Sequence, residues 1–374
     1  MDRLCKKSAT ELAELVRSKG ASSKEIVEAH FNRIKEVNPD INAITLTLEE
    51  SALKLADEAD SAGEEERKRP FHGVPFTIKE NIDFMGTPTT NGIPLLAESM
   101  PPRNAPIVDR MLGAGAIPIG RTNLPEMGMR LDTDNPLRGR TFNPWNKALT
   151  PGGSSGGEAA SIATGMSPFG LGNDIGGSLR NPAYCCGIAS LNPSIGRIPF
   201  VNSIEGFIDM GISGAFLSDG PMARSVEDLR TGLSIMAGRH IDDPQSVNTP
   251  LSGPIPEKPK AALVKEIANF NLPDATKREI ERQRNVQSKI NQKRDGKCIA
   301  AASIQKIFRG VLARSAYAGR LKQHKVKVAN DSAVKIQCLY RRRRDREKAK
   351  VRRKRDYQKR VREKKRIMKV RRLQ

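Results

Sequence analysis

Two glycine-serine clusters separated by patterned sequence constrain this chain more than any other feature. They lie in Thr150–Pro182, TPGGSSGGEAASIATGMSPFGLGNDIGGSLRNP. A single Gly/Ser cluster reads most simply as a flexible linker. That reading fails here because Ala159–Gly165 is alanine-rich and helix-compatible, and Phe169–Gly172 is a short apolar run of strand type. Glycines at the ends of such elements let backbone N–H groups converge on one small site. The stretch therefore predicts a helix and a strand whose termini meet.

The flanking sequence supplies more of both elements. Ser8 and Glu11, then Ser22 and Glu25, form capping-box patterns ahead of apolar residues at helical spacing, so two amphipathic helices open the chain. Asn38-Pro39 is expected to end the second helix. Ile41–Leu48 alternates as a strand and Glu49–Ala62 returns to helix, while the charged run Glu64–Arg69 reads as a solvated loop. In Phe71–Asp83, Val74, Phe76 and Ile78 alternate and Lys79 follows directly. On composition alone Lys79 is a surface lysine at a strand end. Ile107–Gly120 reads as a helix passing into a strand at Ala116–Ile119, and a further helix is expected from Val226 to about Ala237. Strands alternating with helices indicate an α/β body. Leu251–Pro259 is a proline-rich linker, followed by a strand candidate at Ala261–Glu266 and a polar helix at Ala275–Arg284.

Charge divides the chain. Residues 289–374 hold 32 Lys/Arg against 6 Asp/Glu, whereas residues 1–288 hold 32 against 36. A near-neutral body with a sizeable core thus carries a strongly basic tail with few aromatic residues, too polar to build a core by itself. The five cysteines, Cys5, Cys185, Cys186, Cys298 and Cys338, are scattered and lack CxxC spacing, which fits reduced thiols in an intracellular protein. No zinc or haem spacing is present, and no cofactor is expected. The N-terminus lacks the apolar core of a signal peptide, and no run approaches the ~18 apolar residues of a spanning helix. These features place the protein in the cytoplasm, with the nucleus as the alternative the basic tail offers.

The motifs GGSSGG, GNDIGGSLRNPA and GRIP, together with VPFTIKENID and GAGAIPIGRTNLPEMG, resemble the amidase signature family of serine hydrolases in sequence and order. The resemblance covers roughly residues 8–285. It implies an α/β fold with a mixed, twisted central sheet flanked by helices. It also implies hydrolysis of non-peptide carbon–nitrogen amide bonds in a small-molecule substrate through an acyl-enzyme. Carried over by position, the nucleophile falls on Ser178, a proton-relaying serine on a cis peptide falls on Ser154, and the base falls on Lys79. The oxyanion donors fall on the backbone N–H groups of Ile175, Gly176, Gly177 and Ser178. Ser155, Asp174 and Arg180 fall in supporting positions.

The chemistry suits these residue types. A serine hydroxyl needs a neighbour to take its proton, and none of the four histidines lies in a glycine-rich element. A lysine can serve if it is neutral, which requires burial; lowering its pKa by ~3 pH units costs about 4 kcal/mol. Family catalytic domains continue past the equivalent of Arg284. The resemblance therefore implies a body, residues 1–288, that lacks the C-terminal part of its sheet and much of its substrate pocket, with activity impaired accordingly and a sheet edge left open.

The tail carries its own motif. Ile304–Arg314, IQKIFRGVLAR, resembles the IQ segments that bind calmodulin and related light chains. Ile304, Ile307, Phe308, Val311 and Leu312 form one apolar helix face, and Gln305, Arg309, Gly310 and Arg314 complete the pattern. A weaker copy keeps Ile336, Gln337 and Arg341. Residues 289–346 thus read as a helical IQ region and 347–374 as a basic tail, disordered or helical. The run 341–372 has the charge to bind an anionic partner, nucleic acid or an acidic membrane. The alternative to an active amidase is a calmodulin-binding adaptor with an inactive amidase-like body.

Overall fold

The computed structural model describes residues 1–202 and 216–252, and the backbone of 266–267 and 270–271. These lie in the first of two compact units, Met1–Ser315; the second, Ala316–Gln374, is outside the described residues. So are the expected helix at 275–284 and both IQ segments.

Helices α1 (Ala9–Arg17) and α2 (Ser23–Ile41) each start with the expected capping box, Ser8 with Glu11 and Ser22 with Glu25. Helix α2 does not stop at Asn38-Pro39: it runs through Pro39 to Ile41 and ends at Asn42, whose φ is 53°. Proline is tolerated so close to the end because little helix remains for its missing N–H to disrupt. Asn38 then serves the turn, its Oδ1 accepting from the N–H groups of Ala43 and Ile44 at 2.9 Å each. Strand β1 (Ile44–Thr47) and α3 (Glu49–Ser61) follow as expected. The charged run expected as a loop contains a short helix, α4 (Glu64–Arg67), none of whose residues is buried.

The central sheet continues with β2 (Pro75–Lys79) and, after α5 (Pro106–Gly113), β3 (Ile117–Thr122). A small ladder, β4 (Asp134–Asn135) with β5 (Gly139–Arg140), precedes α6 (Gly156–Ala163) and β6 (Phe169–Asp174). Then come α7 (Arg180–Cys186), β7 (Ala189–Ser190), β8 (Ser218–Ala223) and α8 (Val226–Met236). A last ladder pairs Glu266–Ile267 with Phe270–Asn271.

Six strands form one mixed sheet in the order β1-β3-β2-β6-β8-β7. The pairs β2–β3 and β2–β6 are parallel; β1–β3, β6–β8 and β7–β8 are antiparallel. Every residue of β2, β3, β6 and β8 is buried, as expected for strands covered on both faces. One core cluster joins α1, α5 and α8 to the sheet through Leu12, Phe76, Ile107, Met111 and Leu229. A second joins α2, α3, α6 and α7 to β3 through Phe31, Ala56, Ile117, Ile119, Ile162 and Ala183. Asp228 of α8 ties the chain's beginning to this body by accepting from Thr10 N–H and Oγ1 at 2.8 and 2.9 Å. Cys5, Cys185 and Cys186 are free thiols.

Candidate active site

Lys79 is not a surface lysine. It ends β2 at 0% exposure, in a sheet centre where Phe76 and Ile78 are equally buried. Each fully buried large apolar side chain there contributes about 1.5–3 kcal/mol, and a charged ammonium in the same place is opposed by desolvation. Burial accordingly drives the Lys79 amine down to about 7, against the attraction of Asp219, Asp174 and Glu158. An amine held there is available as a base near neutrality.

Its Nζ donates to two acceptors, Ser154 Oγ at 2.6 Å and Asn173 Oδ1 at 2.7 Å. Ser154 is itself buried and its peptide bond to Gly153 is cis. The turn carrying it is pinned on both sides: Gly153 N–H donates to Asn181 Oδ1 at 3.1 Å, and Ser155 N–H to the Ser178 carbonyl at 3.2 Å. Ser178 lies half-buried in the loop between β6 and α7. Lysine and first serine are thus joined directly. Ser178 is joined to the turn through backbone, and its hydroxyl makes no hydrogen bond to Ser154 among the described residues.

The loop from Ile175 to Ser178 is organised by one carboxylate. Asp174 is fully buried and accepts from the N–H groups of Gly177 (2.6 Å) and Leu179 (3.0 Å) and from Arg180 Nε and Nη2 (3.0 and 2.9 Å). Burial would raise its pKa, but the Arg180 guanidinium and those backbone donors outweigh it and hold the carboxyl below its ordinary value. Asp174 and Arg180 therefore brace the loop. The Gly177 N–H is committed to Asp174, so of the four expected oxyanion donors this one already has an acceptor. Ile175 is 40% exposed, and nothing lies within 4 Å of where a Cβ on Gly176 would be. That part of the loop faces open space.

Three polar residues of the site had no assigned role in the sequence. Glu158, on α6, is fully buried; Thr77 Oγ1 of β2 donates to its Oε1 and Thr122 Oγ1 of β3 donates to its Oε2 at 2.7 Å. Gly170 of β6 makes room for it, since a Cβ there would fall on the carboxyl. Burial pushes the Glu158 carboxyl up to about 7, against those two hydroxyls, Lys79 and Arg121. The clamp fixes α6, just beyond Ser154 and Ser155, to the strand that carries Lys79. Asn173 is the second acceptor of Lys79, and Asn81 fixes its amide through a bond from Asn173 Nδ2 to Asn81 Oδ1 at 3.1 Å. The third such residue is Asp219 on β8, buried beside Asn173 and making no hydrogen bond to Lys79 among the described residues. A usable sequence signal existed for Glu158, a lone acid inside a run of Gly, Ala and Ser; Asn173 and Asp219 carry none apart from a neighbouring glycine.

The mixed α/β sheet thus brings together a buried lysine whose amine is lowered to about 7, a serine on a cis peptide bonded to it, and a second serine in a braced glycine loop. The chain belongs to the amidase family, whose model matches residues 25–371. It is 45% identical over 260 residues to an indoleacetamide hydrolase of Bradyrhizobium diazoefficiens, covering 69% of this chain and 50% of that protein. It is 39% identical over 239 residues to human fatty-acid amide hydrolase 2, covering 62% and 44%. Among solved structures, 6-aminohexanoate cyclic dimer hydrolase aligns with a TM-score of 0.60 at 35% identity, covering 67% of this chain and 50% of that one. The chain spans about half the length of the curated relatives it matches. The family match also runs past residue 288, where the change in composition had placed the body's end. Among the described residues no helix is long and apolar enough to cross a membrane.

Proposed function

We propose that this chain is an amide hydrolase that works through an acyl-enzyme on Ser178. The observation that carries the reading is the pair of bonds at Lys79 Nζ, to Ser154 Oγ and Asn173 Oδ1, on an amine kept near neutrality by burial. Neutral Lys79 takes the Ser154 hydroxyl proton as Ser154 takes that of Ser178. Ser178 Oγ attacks the amide carbonyl. The N–H groups of Ile175, Gly176 and Ser178 receive the developing oxyanion, with that of Gly177 joining them on release from Asp174. The proton returns through Ser154 to the leaving amine, and water then releases the carboxylate. The relatives named for indoleacetamide, acylamide and fatty-acid amide hydrolysis support small-molecule amides as the substrate class.

The test is a fluorophosphonate probe followed by peptide mapping. The adduct is expected on Ser178; an adduct on another residue, or none, overturns the reading.

A second reading concerns the tail. The one-sided apolar spacing of Ile304, Ile307, Phe308, Val311 and Leu312 favours a calmodulin-type partner for that segment. Immobilised calmodulin, tried with and without calcium, should retain the chain in at least one of the two conditions, and Ile304→Glu should lower that retention about tenfold. Equal retention of the variant excludes the segment as the contact.

A further inference from the structure

Asp219 lies deep in the sheet on the far side of Asn173 from Lys79. It pairs in register with Asn173 across the antiparallel β6–β8 ladder, so the two side chains stand on one face. It is 1% exposed, and its Oδ1 has no hydrogen-bond partner among the described residues. Nor does any lysine or arginine form an ion pair with it there; Arg180 is taken by Asp174, and Arg138 by Glu80. Arg121, also fully buried, is turned to Thr87 Oγ1 and the carbonyls of Lys79 and Ile82. A buried carboxyl left this way is strongly disfavoured unless a cation or a proton compensates it. The cation in its surroundings is Lys79, reached through the Asn173 amide.

We propose that Asp219 is a positioning residue of the Lys79 site: through Asn173 it holds the lysine Nζ toward Ser154, and its carboxyl and the amine share one proton. The proposal rests on the reading of Lys79 as base. The groups facing the pair are Glu158 from α6, Asp174 from the end of β6 and Asp83 from the turn after β2, beside the neutral amides of Asn81 and Asn173. Burial pushes the Asp219 carboxyl up to about 7; Lys79 and Asn173 oppose the rise and Asp83 adds to it. Both members of the pair therefore titrate in one range, and the proton content of each depends on the other.

The test reads Lys79 directly, without requiring turnover. The full chain is labelled with [13Cε]lysine, and the Lys79 resonance is identified by its loss in Lys79→Met. In Asp219→Asn the Lys79 midpoint should fall by about 1 pH unit or more, because a negative neighbour that favoured the ammonium has gone. A midpoint that stays or rises overturns the proposal. The reciprocal measurement leaves Asp219 in place: with [13Cγ]aspartate, the Asp219 midpoint should rise in Lys79→Met, and an unmoved midpoint overturns the proposal equally. Where Ser178 takes the fluorophosphonate, the acid limb of its labelling rate in Asp219→Asn should move down with the Lys79 midpoint while the plateau falls, since Nζ loses its orientation. A chain that never labels but whose Lys79 midpoint moves supports the pairing and fails as a hydrolase. A chain that labels on Ser178 with an immobile Lys79 midpoint does the reverse.

Discussion

Exchanging Lys79 for methionine should slow acylation of Ser178 by about 10²–10⁴-fold, the usual contribution of a positioned general base. Methionine keeps an unbranched, apolar stem at the buried end of β2, on the face that carries Thr77, and removes the atom that bonds Ser154 and Asn173. The pH profile separates this from a packing defect. A lysine base works only when unprotonated, so the fluorophosphonate labelling rate of the unaltered chain should rise about tenfold per pH unit below its midpoint and level above about 7. The residual rate of the variant should lack that limb. Stability carries a second signature. Lys79 is held below its ordinary value of 10.5, so between about 7 and 10.5 the unfolded chain binds more protons than the folded one. Stability then rises with pH across that window and is lost as pH falls through it, becoming flat below about 7 with respect to this group. Urea midpoints of Lys79→Met should lack that rise. A variant that keeps both the limb and the rise would place the base elsewhere.

Much of this site is legible in the sequence because glycine and serine clusters have few other uses between patterned elements. The capping boxes at Ser8 and Ser22, the strand ending on Lys79, and the helix and strand inside Thr150–Pro182 follow from local spacing. What spacing alone could not give is burial. The strand pattern of Val74, Phe76 and Ile78 fits Lys79 at the surface as well as Lys79 at the centre of a six-stranded sheet; only the flanking of β2 by β3 and β6 decides between them. Pro39 misled for a related reason: its local penalty is real, but Asn38 and Asn42 close the helix two residues later. Asn173 and Asp219 act across strands, and Glu158, marked in sequence only as a lone acid among small residues, acts between helix and sheet. Their partners lie tens of residues away, and sequence neighbours say nothing about them. Asp174 and Arg180 stand between these cases: the family resemblance implies a supporting place for them, while the bond from Gly177 N–H to Asp174 follows only from the folded loop.

Gly157→Ala should destabilise the chain by about 2–4 kcal/mol, and the reason explains the glycine cluster itself. A Cβ at Gly157 would stand 2.6 Å from the Asn123 carbonyl oxygen, 2.7 Å from that of Ala43, and closer still to the Asn123 nitrogen. All three are backbone atoms, so no rotamer change relieves the overlap; α6 would have to lift away from the segment after β3. Overpacking in a rigid interior costs about 1–3 kcal/mol, and lifting α6 also breaks the bond from Gly157 N–H to the Asn123 carbonyl, 3.2 Å long, for about another 1 kcal/mol. Glu158 is the next residue, so the same movement draws its carboxyl from Thr77 and Thr122 and loosens the link between the Ser154 turn and β2. The loss should therefore appear twice, as a lower urea midpoint and as slower Ser178 labelling under conditions where the variant is still folded. Gly113→Ala is the control: it ends α5 with nothing within 4 Å of its Cβ position, so alanine there should be neutral or stabilising by up to about 1 kcal/mol. If the two substitutions shift the midpoint equally, glycine at 157 is only a matter of chain flexibility, and close packing of α6 on the β3 segment is not what the GGSSGG motif provides.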